Sequence, residues 1–142
     1  MKIRIIKYSV IILFFSNILF AKSDTKYFQE GLNLFNNKKY SEAKFKFEQD
    51  LVFNPKSEMS YLYLSKIFKK LKKSDLQEQN LNTVILLNPQ NEEALYLLTL
   101  LNIKKSDYDE SDKLIKKFNK VCKKICEKKS ELILKLKTLE TN

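Results

Sequence analysis

The chain has 142 residues, a length that suits one domain. It carries 27 Lys plus Arg against 17 Asp plus Glu, a formal charge of +10, and 44% of its residues are apolar, a balance that suits a folded chain. One Gly leaves no glycine-rich phosphate loop, and the lack of His removes histidine triads and the commonest metal ligand. One Gly and two Pro also argue for helices rather than many short strands.

Residues 1–23 read as a targeting segment. Lys2, Arg4 and Lys7 precede an uncharged run from Tyr8 to Phe20, and Ala21 and Ser23 place small residues before a cut at Asp24. That is the layout of a secretory signal peptide. The run is short for a membrane-spanning helix, which needs about 17–25 apolar residues. Export to the periplasm or cell envelope is therefore expected, with a retained anchor over residues 8–20 as the alternative.

The body repeats with a period of 34 residues. Asn54-Pro55 returns as Asn88-Pro89, Gly31 returns as the small residues Ser65 and Thr99, and Tyr40 returns two periods later as Tyr108. Apolar residues recur at helical spacing: Tyr27, Gly31 and Leu34 in the first stretch, then Tyr61, Leu64 and Phe68, then Leu95, Leu98 and Leu101. Asn before Pro leaves the helical region and stops the helix ahead of it. Ser57, Ser74, Asn91 and Ser106 are the expected N-caps. Six helices of 12–16 residues in three antiparallel pairs follow, with Gly31, Ala43, Ser65, Thr99 and Ser111 letting helices approach closely.

This pattern resembles the tetratricopeptide repeat (TPR) family. Its large, small, Tyr, Ala and closing Pro positions fall on Tyr27, Gly31, Tyr40, Ala43, Phe47 and Pro55 in the first unit. In the second they fall on Tyr61, Leu64, Ser65, Phe68, Leu81 and Pro89. There Ser74 and Gln77 depart from Tyr and Ala, which points to a looser helix around residues 74–87. In the third they fall on Leu95, Leu98, Thr99, Tyr108, Ser111 and Phe118, with Lys123 in place of Pro. The resemblance covers about residues 24–123 in units of about 24–57, 58–91 and 92–123, and implies an all-α solenoid. Residues 124–142 add a Lys-rich capping helix through Leu132, Leu136 and Leu139, unless residues 107–140 form one continuous helix.

No constellation for catalysis, cofactor or metal binding is visible, so a non-enzyme is expected. Glu92, Glu93, Asp109 and Glu110 sit at helix starts, where acids suit the helix dipole. Cys122 and Cys126 lack the second pair that a zinc site uses. They form either a disulfide, if the chain turns near Lys123, or two packed thiols.

All excess charge after residue 22 lies late in the chain. Lys113 to Lys137 holds ten Lys against Glu127 and Glu131. With no Arg and no aromatic after Phe118, nucleic acid is not expected as a partner. The alternatives are a solvated cap face and an anionic membrane surface.

In the family, the first helix of each pair lines the concave face. That implies a partner groove of Phe28, Leu32 and Phe35, then Leu62, Lys66 and Lys69, then Tyr96, Leu100 and Ile103. Phe28 and Leu32 occupy positions where some members grip a carboxylate with Lys and Asn, so that clamp is absent. The expected partner is a protein or peptide segment that is apolar or amphipathic, with negative charge near Lys66 and Lys69. Self-association of a membrane-surface structural protein is the rival reading.

Overall fold

A computed structural model of the chain describes residues 25–140. The expected targeting segment lies outside them. The described residues form seven helices in order: α1 (Lys26–Asn36), α2 (Tyr40–Phe53), α3 (Glu58–Lys70), α4 (Ser74–Leu87), α5 (Glu92–Lys104), α6 (Tyr108–Val121) and α7 (Lys128–Glu140). The described residues contain no strand. Each odd helix packs on the next as a hairpin, and hairpins stack through α2 on α3 and α4 on α5. The α7 helix closes the stack against α5 and α6. The result is an all-α solenoid of three helix pairs with a cap. None of the described helices is long and apolar enough to cross a membrane.

Three turns repeat with the period of the sequence. Lys38, Lys72 and Ser106, each 34 residues from the next, have φ of 61°, 57° and 61°. In each, the amide of the following residue donates to the carbonyl five residues back: Lys39 to Leu34, Lys73 to Phe68 and Asp107 to Asn102. The left-handed residue's own amide donates three residues back, to Phe35, Lys69 and Ile103. This left-handed closing turn satisfies helix carbonyls that would otherwise lack partners. None of the three positions holds Gly.

The caps differ in part from expectation. Asn91 accepts from the Ala94 amide at 2.7 Å, as its position suggested. Thr25 accepts from Phe28 at 3.1 Å and Asp107 from Glu110 at 3.2 Å. Ser57 precedes α3 but makes no cap bond; its hydroxyl donates to Ser60 at 3.2 Å. Ser74 is already helical, and Ser106 occupies the left-handed turn, which hands the capping role to Asp107.

One further expectation and one repeat position are corrected, and the alternative of one continuous helix is removed. The 74–87 segment is a regular 14-residue helix, not a loose one, with Gln77 buried in the Ala position. Residues 107–140 are two helices, because Cys122 turns to ψ 138° and α6 stops at Val121. In the third unit the residue 34 after Leu81 is Ile115, so Ile115 rather than Phe118 is the counterpart of Phe47; both are buried.

The interior divides at α3. One cluster joins Phe28, Ala43, Phe47, Leu64, Ile67 and Phe68. The other runs from Leu62 through Leu81, Leu95 and Phe118 to Leu132 and Leu136 of α7. Phe47 stacks on Tyr63 with ring centroids 5.2 Å apart. The fully buried Asp50 accepts hydrogen bonds from Thr25 and Ser60, which ties α1, α2 and α3 together. A buried carboxylate is tolerable when donors surround it.

Candidate binding groove

The first helices of the second and third hairpins and the cap helix bound a cavity of about 500 Å³. Its apolar floor is Leu97, Leu100, Leu101 and Ile103 of α5. Lys69 at the end of α3, Lys72 in the turn, Lys104 at the end of α5 and Lys135 of α7 surround it, with Ser74, Gln77 and Thr138. No acidic residue lines it. Lys135 lies 3.9 Å from Glu131, whereas Lys69, Lys72 and Lys104 have no ion pair among the described residues. The cavity therefore joins an apolar floor to a rim of uncompensated positive charge. Its volume lies within the range of about 300–1,000 Å³ that ligand pockets occupy, while seven of its eleven lining residues are polar or charged.

The expected groove residues separate into four groups. Lys69, Leu100 and Ile103 line the cavity, although Ile103 itself is buried. Phe28 and Leu62 are buried in the two clusters, so their assignment to an open groove is corrected. Phe28 packs 5.7 Å from the Phe47 ring and 6.0 Å from Tyr63, because the adjacent hairpin closes over that side of α1. Leu32 and Phe35 are half-buried, with Phe35 edge-on to Tyr40 and Tyr63.

The remaining two are engaged inside the chain. Lys66 pairs with Glu93 at 2.8 Å and lies 4.6 Å from the Tyr63 ring centroid. Tyr96 lies under α7 and donates to Glu131 at 3.0 Å; burial, then that carboxylate, push its phenol above its usual value. The expected negative charge near Lys66 is thus supplied by Glu93 itself.

Sequence reasoning missed Lys72, Lys104 and Lys135 as site residues. Lys72 follows from the repeat: it is the left-handed turn position of the second unit. Lys135 becomes legible only once α7 is known to fold back on α5.

Beyond the cavity, Glu92 organises the turn after α6. Its carboxylate accepts from the backbone amides of Lys124 at 2.9 Å and Ile125 at 3.0 Å. Burial raises its pKa, but hydrogen bonds from the amides of Lys123, Lys124 and Ile125 outweigh that and hold it below the usual range. Glu58, 34 residues earlier, does the same for the preceding turn by accepting from the side-chain amides of Asn88 and Asn91. Cys122 and Cys126 are joined as a disulfide across the Glu92-bound turn, with Cα atoms 5.3 Å apart. Among the described residues no cluster of His, Cys, Asp and Glu could hold a metal ion.

No family model and no curated protein matches the chain. Solved structures do. The first TPR of Spaghetti (RPAP3), bound to an HSP90 peptide, superposes with a TM-score of 0.71 at 18% identity, over 80% of this chain and 90% of that one. The Yersinia enterocolitica type III secretion chaperone SycD, in complex with a peptide of the translocator YopD, gives 0.71 at 13%, over 82% and 91%. The TPR2B domain of yeast Sti1, in a complex with pHsp70, gives 0.71 at 14%, over 80% and 94%. The chain has the TPR fold. In TPR terms, the cavity lies where the first helices of units two and three meet the cap, and the Glu58 and Glu92 bridges are unit-to-unit ties.

Proposed function

We propose that this TPR chain is a non-catalytic interaction module of the cell envelope that holds a segment of a partner protein. The observation that carries the reading is the acid-free cavity: four lysines around a leucine-rich floor, three of them without an internal counter-charge. A leucine floor would take an apolar side chain, and the rim would favour carboxylates beside it. The solved TPR structures of similar shape that hold peptides support this use of the fold. The cationic, apolar start of the sequence supports the envelope as the place.

Site-specific photocrosslinking in cells tests the reading. A crosslinker at Leu100 should give one discrete protein adduct, and Lys69→Glu with Lys104→Glu should abolish it. The same crosslinker at Leu86, which is 81% exposed on α4, should give none. Equal adducts from both positions, or an adduct that survives the lysine reversal, would remove the cavity from the proposal.

A further inference from the structure

The α6 helix has two sharply different sides. Ser111, Leu114, Ile115 and Phe118 are buried. Lys113, Lys116, Lys117 and Lys120, at i, i+3, i+4 and i+7, form the opposite stripe. Lys123, exposed in the disulfide turn, follows the end of α6, and Lys129 of α7 shares a crevice with Lys116. Internal acids neutralise only part of this surface. Lys116 pairs with Asp112 at 2.6 Å and Lys113 with Glu110 at 3.2 Å. Lys117, Lys120, Lys123 and Lys129 have no ion pair among the described residues. No residue of α6 lines the cavity between α3, α5 and α7.

We infer that the α6 stripe and the turn after it dock on an anionic lipid bilayer. Shaped protein interfaces are anchored by buried aromatic and Arg side chains. The stripe has neither: Arg does not occur after residue 22, and Phe118, the last aromatic, points into the core. What it offers instead is a row of hydrated point charges spread over about 10 Å of helix. A charged bilayer surface attracts such a row without needing a complementary shape. The disulfide and Glu92 fix the turn that carries Lys123, which holds that residue at the end of α6. Docked this way, the chain leaves its cavity open to a partner. The inference is independent of what the cavity holds.

Vesicle co-sedimentation of the full chain is the test. Vesicles of equimolar phosphatidylglycerol and phosphatidylcholine are compared with phosphatidylcholine alone, and because Lys2, Arg4 and Lys7 would also favour the anionic vesicles, the lysine variants of the stripe decide the assignment. We expect tighter binding to the anionic vesicles, lost as added salt shortens the screening length. Lys117→Gln, Lys120→Gln and Lys123→Gln together should weaken that binding by about a hundredfold, since each lysine near the surface contributes about a factor of five. The Glu versions of the same three, which add repelling charge, should weaken it further. The cavity pair Lys69→Glu and Lys104→Glu should leave most of it in place. Equal binding to both vesicles, or wild-type binding by the triple variant with its helicity intact, overturns the inference. So does stronger binding to soluble polyglutamate than to the anionic vesicles through the same lysines, which would assign the stripe to an acidic protein.

Discussion

The ring of Phe47 occupies the space that a side chain on residue 31 would enter: a Cβ built on Gly31 lies 2.9 Å from Phe47 Cε1 and 3.1 Å from Cζ. Glycine inside a helix ordinarily costs about 1 kcal/mol relative to alanine. Here that cost is offset by the close approach of α1 and α2. The ring cannot swing aside freely, because it is fully buried and stacked on Tyr63. Gly31→Ala should therefore lower stability, by about 1–2 kcal/mol in chemical denaturation, despite the better helix former. A gain would mean that the ring yields and that close approach is not why glycine stands here.

The three left-handed turns give a prediction of opposite sign. A non-glycine residue in that conformation carries a strain of about 1–2 kcal/mol. Lys38 is exposed and touches neither cavity nor stripe. Lys38→Gly should raise stability by about 0.5–1 kcal/mol. Lys44→Gly, in the middle of α2, should lower it by about 1 kcal/mol. Thermal melts of the two variants side by side would check the signs.

Glu92 links stability to pH. Its carboxyl titrates lower in the folded chain than in the unfolded one, so its contribution is present above the ordinary glutamate range. That contribution is lost as pH falls through the lowered folded value. Wild type and Glu92→Gln should differ near neutral pH and converge in acid. Because Glu92 and the disulfide hold the same turn, reduction should shrink the difference at neutral pH as well. Unreduced, alkylated protein should show the Cys122–Cys126 bond in mass spectrometry; two alkylated thiols would remove this coupling.

Leu62 and Lys69 lie on the same helix and answer differently. Leu62 is 2% exposed, and Leu62→Ala should cost about 2–5 kcal/mol by leaving a cavity in the core. Lys69→Glu is exposed and should change stability by no more than about 0.5 kcal/mol. Only the second reports on binding. Leu32→Asp is no clean probe of the groove, since Leu32 packs partly against the first cluster and its loss shows in stability too.

The periodic features were legible because each depends on neighbours at fixed sequence distance. Asn54-Pro55 and Asn88-Pro89 end helices by local sterics, and Gly31, Ser65 and Thr99 mark close contacts within a pair. The left-handed Lys38, Lys72 and Ser106 share the same period and fall in expected helix breaks, yet Lys and Ser do not announce a left-handed residue as Gly or Asn would. The groove was only partly legible for a different reason. A helical stripe tells which residues share a side of α3 but not how far the next hairpin covers that side. Leu62 and Lys66 are one turn apart; α4 and α5 bury the first, and Glu93 claims the second. Cover of that kind is a tertiary fact. The same holds for Tyr96, which only the return of α7 puts under Glu131.

Because α3 sends Leu62 into one cluster and Leu64, Ile67 and Phe68 into the other, the solenoid is two bodies sharing a wall. The first hairpin is held to that wall by its own small cluster and by Asp50, Thr25 and Ser60. The larger body adds α7 as a lid over its far end. Opening the first hairpin thus exposes less apolar surface than opening the rest. Backbone amides of α1 and α2 should exchange with deuterium by a partial opening, at lower free energy than those of α5, which leave only on global unfolding. Ser60→Ala, which removes one donor from Asp50, should speed exchange in α1 and α2 and leave α5 nearly untouched.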